Sequence, residues 1–142
     1  MKFWDSSAIV PLILPELTSD ALLDVYEDDR AMSAWWSSRV ECASAVERRG
    51  RFQSNPPIGV RAEAHRRLGA LAASWQEIQP LTEVRDRALT LLAKHDLRAG
   101  DALQLSAAIA AVNWNGAMDF VCLDDRLNDA ARSEGFRIVR PR

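Results

Sequence analysis

Met1-Lys2-Phe3-Trp4-Asp5-Ser6-Ser7-Ala8-Ile9-Val10 opens the chain, and its reading sets the fold. A short apolar run ends in an acid, two small hydroxyl residues follow, and a second apolar stretch begins. That order predicts strand, tight turn and helix start, with Ser6 or Ser7 capping a helix through Leu14. The arrangement recurs at Phe120-Val121-Cys122-Leu123-Asp124, where an apolar run again closes on a carboxylate. Acids at the carboxyl ends of two parallel strands lie in the crevice where open α/β sheets bind ligands.

Working outward, strand-like and helix-like segments alternate without a repeat or a linker-like break, which predicts an α/β layer fold. Helices are expected over residues 20–28, 37–49, 60–77, 82–95, 101–112 and 125–134. Gly50 and Gly135 are expected to stop two of them, and Thr82 to cap another. Residues 31–34, 78–80 and 136–139 read as short extended pieces, and Pro56-Pro57 as a break. The sum is four or five strands and six or seven helices.

Bulk properties narrow the classes. The chain has 142 residues, 48% hydrophobic and 27% charged, which suits one folded domain over 1–142 and excludes a wholly disordered chain. The apolar stretch Ala8 to Leu14 is too short to span a bilayer and contains Pro11. Asp5 falls where a signal peptide needs apolar residues. Cys42 and Cys122 form no Cys-x-x-Cys pair or disulfide framework, so a reducing cytoplasm is expected. Of 18 Lys+Arg, only Lys2 and Lys94 are lysines, leaving sixteen arginines; genomic base composition is the favoured account of that bias, with phosphate binding the alternative. The net charge of -2 neither demands nor forbids nucleic acid.

Four acids stand out: Asp5, Glu41, Asp101 and Asp124. Asp101 shares a helix face with Leu105, Ala108 and Val112, so it points along the buried stripe, although an aspartate after Gly100 also suits a helix cap. Glu41 borders an apolar face marked by Val40, Ala43 and Val46, with a salt bridge to Arg39 or Arg48 as its alternative. Asp5 in an apolar strand carries a desolvation cost unless a cation or several donors meet it. Asp125 is expected to cap the last helix, leaving Asp124 to face the crevice, while Asp119 lies at the opposite end of the same strand. An oxygen-only set suits Mg²⁺ or Mn²⁺, not zinc. His65 and His95 have no catalytic spacing, and no glycine-rich phosphate loop is present.

The stretches Phe3 to Val10, Arg39-Val40-Glu41-Cys42-Ala43, Ala99 to Ala108 and Phe120 to Leu127 together resemble the PIN domain, and most closely its VapC-type toxins. The resemblance spans nearly the whole chain in order. It implies a helix-rich three-layer α/β/α fold with a short, mainly parallel central sheet. It also implies a Mg²⁺- or Mn²⁺-dependent endoribonuclease, a protein antitoxin that inserts into the active-site groove, and a homodimer. On this reading Asp5, Glu41, Asp101 and Asp124 are the catalytic and metal-binding acids, and Ser6 assists. Asp119 and Asp125 compete for the fourth acidic place. Cys122 stands where the family commonly has Thr. Arg48, Arg49 and Arg51, with Arg61, Arg66 and Arg67, are candidates for gripping RNA, and Trp35-Trp36 for base stacking or protein contact. A housekeeping RNA-processing nuclease and a non-catalytic RNA- or protein-binding module are the alternatives.

Overall fold

A computed structural model describes residues 1–53 and 57–141, so Pro56 of the expected break lies outside the described residues. One sheet of five parallel strands is built from β1 (Lys2–Trp4), β2 (Met32–Trp35), β3 (Gln76–Ile78), β4 (Asp119–Val121) and β5 (Ile138–Val139). Their order is β3-β2-β1-β4-β5. Connecting them are α1 (Ser6–Ile13), α2 (Ser19–Asp28), α3 (Ser38–Phe52), α4 (Val60–Ser74), α5 (Thr82–Lys94), α6 (Ala99–Asn115) and α7 (Asp125–Ser133).

The pleat sorts each strand's side chains into two cores. Phe3, Trp35, Ile78 and Phe120 pack with residues of α5, α6 and α7, among them Leu91, Leu105 and Leu127. Trp4, Met32, Ala34 and Val121 face α1 to α4, meeting Ile9, Leu22, Val46 and Leu68. Both faces are therefore covered, giving three layers, as all-parallel sheets require. Phe3 stacks on Phe120 across β1 and β4 with ring centroids 5.7 Å apart. Both are fully buried, and truncating either to alanine costs about 3–5 kcal/mol. No helix among the described residues is long and apolar enough to cross a membrane.

This strand order fixes where a ligand can sit. From β1 the chain moves outward to β2 and β3, then crosses back to lay β4 on the other side of β1. The carboxyl ends of β1 and β4 thus flank the topological switch point.

Several local expectations are corrected. Asp5, not a serine, caps α1, because its side chain accepts the Ser7 backbone N–H. Asp124, not Asp125, caps α7 in the same way through Leu127. Thr82 lies within α5, after Leu81 at the cap. Gly50 does not stop α3, which runs on to Phe52; a single glycine costs a helix only ~1 kcal/mol. Val40 is 68% exposed, and the buried residues of α3 are Ser38, Cys42 and Val46. Positions 40-43-46 and 38-42-46 both satisfy helical spacing, so contact with α1 and α4 decides between them. Asp101 is the third residue of α6, whose cap is Arg98.

Candidate metal centre

Asp5 leaves β1 with its backbone N–H still bonded to the Val121 carbonyl at 3.0 Å, which extends the β1–β4 ladder by one residue. Its Oδ2 accepts the Ser7 N–H at 3.0 Å and a weak contact from the Cys122 thiol at 3.5 Å. The residue is 4% exposed. Burial raises its pKa, the bonds from Ser7 oppose that shift, and the charge of Glu41 adds to it.

The other three acids reach the same end of the sheet from helix beginnings. Asp101 projects from the first turn of α6, and its pKa is raised by burial first, then by the charges of Asp124 and Asp5. A backbone hydrogen bond at Arg98 lowers it only in part. Asp124 accepts the Leu127 N–H at 2.9 Å through Oδ1, and its own N–H donates to Cys122 Sγ at 3.2 Å. Glu41 stands in the first turn of α3, where Oε2 accepts from Gln104 Nε2 at 2.6 Å and Oε1 meets the Ser37 hydroxyl at 3.5 Å. The start of α6 backs onto it: a Cβ added at Gly100 would lie 3.8 Å from Glu41 Oε1. Arg98, Gly100, Asp101, Asp124, Asp125 and Arg126 line an open crevice of about 600 Å³ beside these acids.

What distinguishes the four is the lack of ion pairs, for the charge of nearby Arg98 lowers the Asp101 pKa only in part. Among the described residues no ion pair is made by Asp5, Glu41, Asp101 or Asp124, so the predicted alternative of a Glu41 pair with Arg39 or Arg48 is not what the side chain does. The runners-up differ. Asp119 begins β4, at the other end of the sheet, and accepts from both Arg137 Nε at 2.8 Å and Arg137 Nη2. Asp125 lines the crevice but pairs with Arg140 at 3.2 Å.

Carboxylates that raise one another's pKa suit a hard cation, whose charge reverses that cost. Among the described residues no three Asp, Glu, His or Cys side chains converge into a ready-made cage. Mg²⁺ is commonly held by one or two carboxylates with water completing its shell, so a looser set of acids could take such an ion. Asp5 and Asp101 could supply the direct oxygens, with Glu41 and Asp124 around them.

The hydroxyl and arginine expectations shift by residues. Ser6 contributes its carbonyl to a long contact from Cys42 at 3.9 Å, whereas Ser7 ties the corner together. Ser7 Oγ accepts the Leu123 N–H at 3.0 Å and donates to Cys122 Sγ at 3.5 Å. Ser7 was legible only as a member of the Ser-Ser pair. Gln104 escaped the reading because it sits in an Ala- and Leu-rich stripe and carries no charge. Arg49 is held by Glu16 and the Pro15 carbonyl, Arg61 by Glu47, and Arg66 and Arg67 by Glu63. Arg48 and Arg51 are exposed on α3. Arg98 and Arg126, at the crevice itself, were not singled out. Trp35 is core, and Trp36 is 50% exposed.

Solved structures share this architecture over the full chain. A toxin-antitoxin complex from Klebsiella pneumoniae matches 100% of this chain and 98% of its own at 11% identity, with a TM-score of 0.70. VapC20 of Mycobacterium tuberculosis, described as a Sarcin-Ricin loop cleaving toxin, matches 99% and 100% at 16% identity and a TM-score of 0.66. FitAcB from Neisseria gonorrhoeae matches 99% and 98% at 13% identity and a TM-score of 0.69. No protein-family model and no curated protein sequence matches. The helix-rich PIN-type α/β fold is the fold of this chain.

Proposed function

We propose that this chain is a divalent-metal-dependent endoribonuclease, the toxin of a VapC-type toxin-antitoxin pair. The observation that carries the proposal is the set of four acids without cation partners at the β1/β4 switch point, with Asp5 and Asp101 raised in pKa. Support for the RNA substrate and the antitoxin comes from the similarity to proteins described as a toxin-antitoxin complex and as a Sarcin-Ricin loop cleaving toxin.

A bound Mg²⁺ or Mn²⁺ supplies Lewis acidity toward a phosphodiester and acidifies water. Asp5 and Asp101 would hold the ion; the Ser7 N–H already fixes the Asp5 carboxylate, and the first turn of α6 presents that of Asp101. Glu41 and Asp124 would orient water beside it, each with one oxygen already committed to a protein donor. Arg98 and Arg126 at the crevice rim meet the phosphate backbone, with Arg48 and Arg51 farther out. Asp125 is left as a rim residue and Asp119 as a structural one.

A groove of about 830 Å³ between α1, α3 and α4 is lined by Val10, Leu14, Ala45, Phe52, Arg48 and Arg49, among others. Val10 and Ala45 stand one turn beyond Ser6 and Glu41, so a segment of antitoxin lying there would reach the acids. Exposed Trp36, just before α3, and Val40 in its first turn offer surface for a homodimer contact. Two buried free thiols, Cys42 and Cys122, fit a cytoplasmic protein.

The test is cleavage of total RNA by purified protein in Mg²⁺ or Mn²⁺, beside EDTA and an Asp5→Asn/Asp101→Asn variant. Discrete fragments that vanish in both controls are expected. Absence of cleavage across several RNA pools, with RNA binding indifferent to chelator, would support the non-catalytic module instead. Growth arrest on expression, relieved by a neighbouring gene product, separates a toxin from a housekeeping nuclease.

A further inference from the structure

Gln104 lies on α6 three residues after Asp101 and is 1% exposed. Its Nε2 donates to Glu41 Oε2 at 2.6 Å and lies 3.0 Å from the hydroxyl of Ser38, itself fully buried. Its Oε1 is buried and has no hydrogen-bond partner among the described residues. Leaving such an oxygen unsatisfied costs about 1–3 kcal/mol. A leucine, like the flanking Leu103 and Leu105, would fill comparable space in this helix without that cost. Core packing therefore does not account for the amide, whereas its contact with Glu41 does.

We infer that Gln104 is a positioning residue, a neutral donor that holds the Glu41 carboxylate toward the metal centre. This inference rests on the proposed metal site. The choice of donor matters chemically. A lysine or arginine here would pair with Glu41 and cancel the charge that a cation needs; an amide fixes the carboxylate and leaves its charge in place. One oxygen of Glu41 is committed to the amide, which leaves the Ser37 side, with its longer 3.5 Å contact, to turn toward water or metal. Because Gln104 and Asp101 share the first turns of α6, the same helix delivers one acid and orients another carried by α3. Residues outside the ligand shell that orient ligands in this way change metal affinity by about 10–100-fold when removed.

The experiment is calorimetric titration of Mn²⁺ into the full chain, with melting temperature measured in parallel. The variants are Asp5→Asn, Glu41→Gln, Gln104→Leu, Gln104→Met and the double variant Glu41→Gln/Gln104→Leu. Gln104→Leu removes one unsatisfied oxygen but takes from buried Ser38 its amide partner, so the two effects offset and it is expected to melt within a few degrees of the parent, yet to bind Mn²⁺ about 10-fold more weakly or worse. The double variant is expected to bind no more weakly than Glu41→Gln alone, since both act through one carboxylate. Parent-like affinity in the Gln104 variants, with affinity lost in Asp5→Asn, overturns this inference alone. Parent-like affinity in Asp5→Asn overturns the metal site on which it rests. Failure of both Gln104→Leu and Gln104→Met to fold would make the amide a structural residue and also overturn the inference.

Discussion

The two ends of the β1–β4 pair carry similar numbers of acids and treat them in opposite ways. At the amino end Asp119 is gripped by Arg137, Asp28 by Lys2, and Asp29 by the N-terminal ammonium of Met1 at 2.5 Å. Those partners pull Asp29 and Asp119 below the ordinary carboxylate range, through hydrogen bonds from the N-terminus and Arg137 respectively. At the carboxyl end Asp5, Glu41, Asp101 and Asp124 meet only neutral donors: backbone N–H groups, a thiol, a hydroxyl and an amide. There burial and mutual repulsion push Asp5 and Asp101 upward. An acid's partners, more than its presence in a strand or helix, separate structural charge from charge awaiting a ligand.

The largest effect that would break this contrast is on cleavage. Asp5→Asn or Asp101→Asn is expected to lower RNA cleavage by about 100-fold or more, beyond what loss of an outer residue does. Asp119→Asn is expected to leave it unchanged. That variant loses an ion pair whose arginine is largely exposed, so its stability falls by no more than ~1 kcal/mol in urea melts. Equal losses from the two ends would dissolve the distinction.

A second test uses pH, with the signs opposed. Asp5 and Asp101 have folded-state pKa values above the ordinary 3.8, so their contribution to stability is fully present below that value and is lost as pH rises through the raised ones. Asp29 and Asp119 are shifted down, so theirs is present above the ordinary value and lost as pH falls through the lowered ones. Without metal, urea melts across about pH 3 to 7 should show Asp5→Asn removing part of the loss on the rising side, and Asp119→Asn removing part of the loss on the acid side. The same slope in Asp5→Asn and parent would contradict the assignment.

Much of this was legible in the primary structure, for reasons that differ by element. The apolar run ending in Asp5 and its echo at Asp124 announced two parallel strands with acids at their carboxyl ends, because a buried parallel strand must be apolar until it leaves the sheet. Asp101 was traceable through its stripe with Leu105 and Ala108. The caps were not: Asp5 and Asp124 each serve as helix cap and candidate ligand, and local pattern cannot separate an acid from the serine or aspartate beside it. The buried face of α3 also escaped, since neighbouring helices choose between two stripes, stepping by three and by four residues, that both suit a helix. Gln104 and Ser7 were invisible as site residues because their role lies in partners 63 and 116 positions away in sequence.

The smallest expected effect concerns Cys122, whose sulfur joins Asp5, Ser7 and the Asp124 N–H. A hydroxyl can make the same three links, so Cys122→Ser should keep cleavage within about 3-fold, while Cys122→Ala should lose more because two acids lose a common anchor. Initial cleavage rates at saturating Mn²⁺ would show the order.

The most direct test of the central claim is the melting temperature of the parent and of Asp5→Asn/Asp101→Asn, each with and without Mn²⁺. A cation that binds only the folded site stabilises by about 2.7 kcal/mol at a hundred times its dissociation constant. The account predicts that Mn²⁺ raises the parent's melting temperature by several degrees, and that the variant melts higher than the metal-free parent and ignores the ion. No rise in the parent, or an equal rise in both, would contradict it.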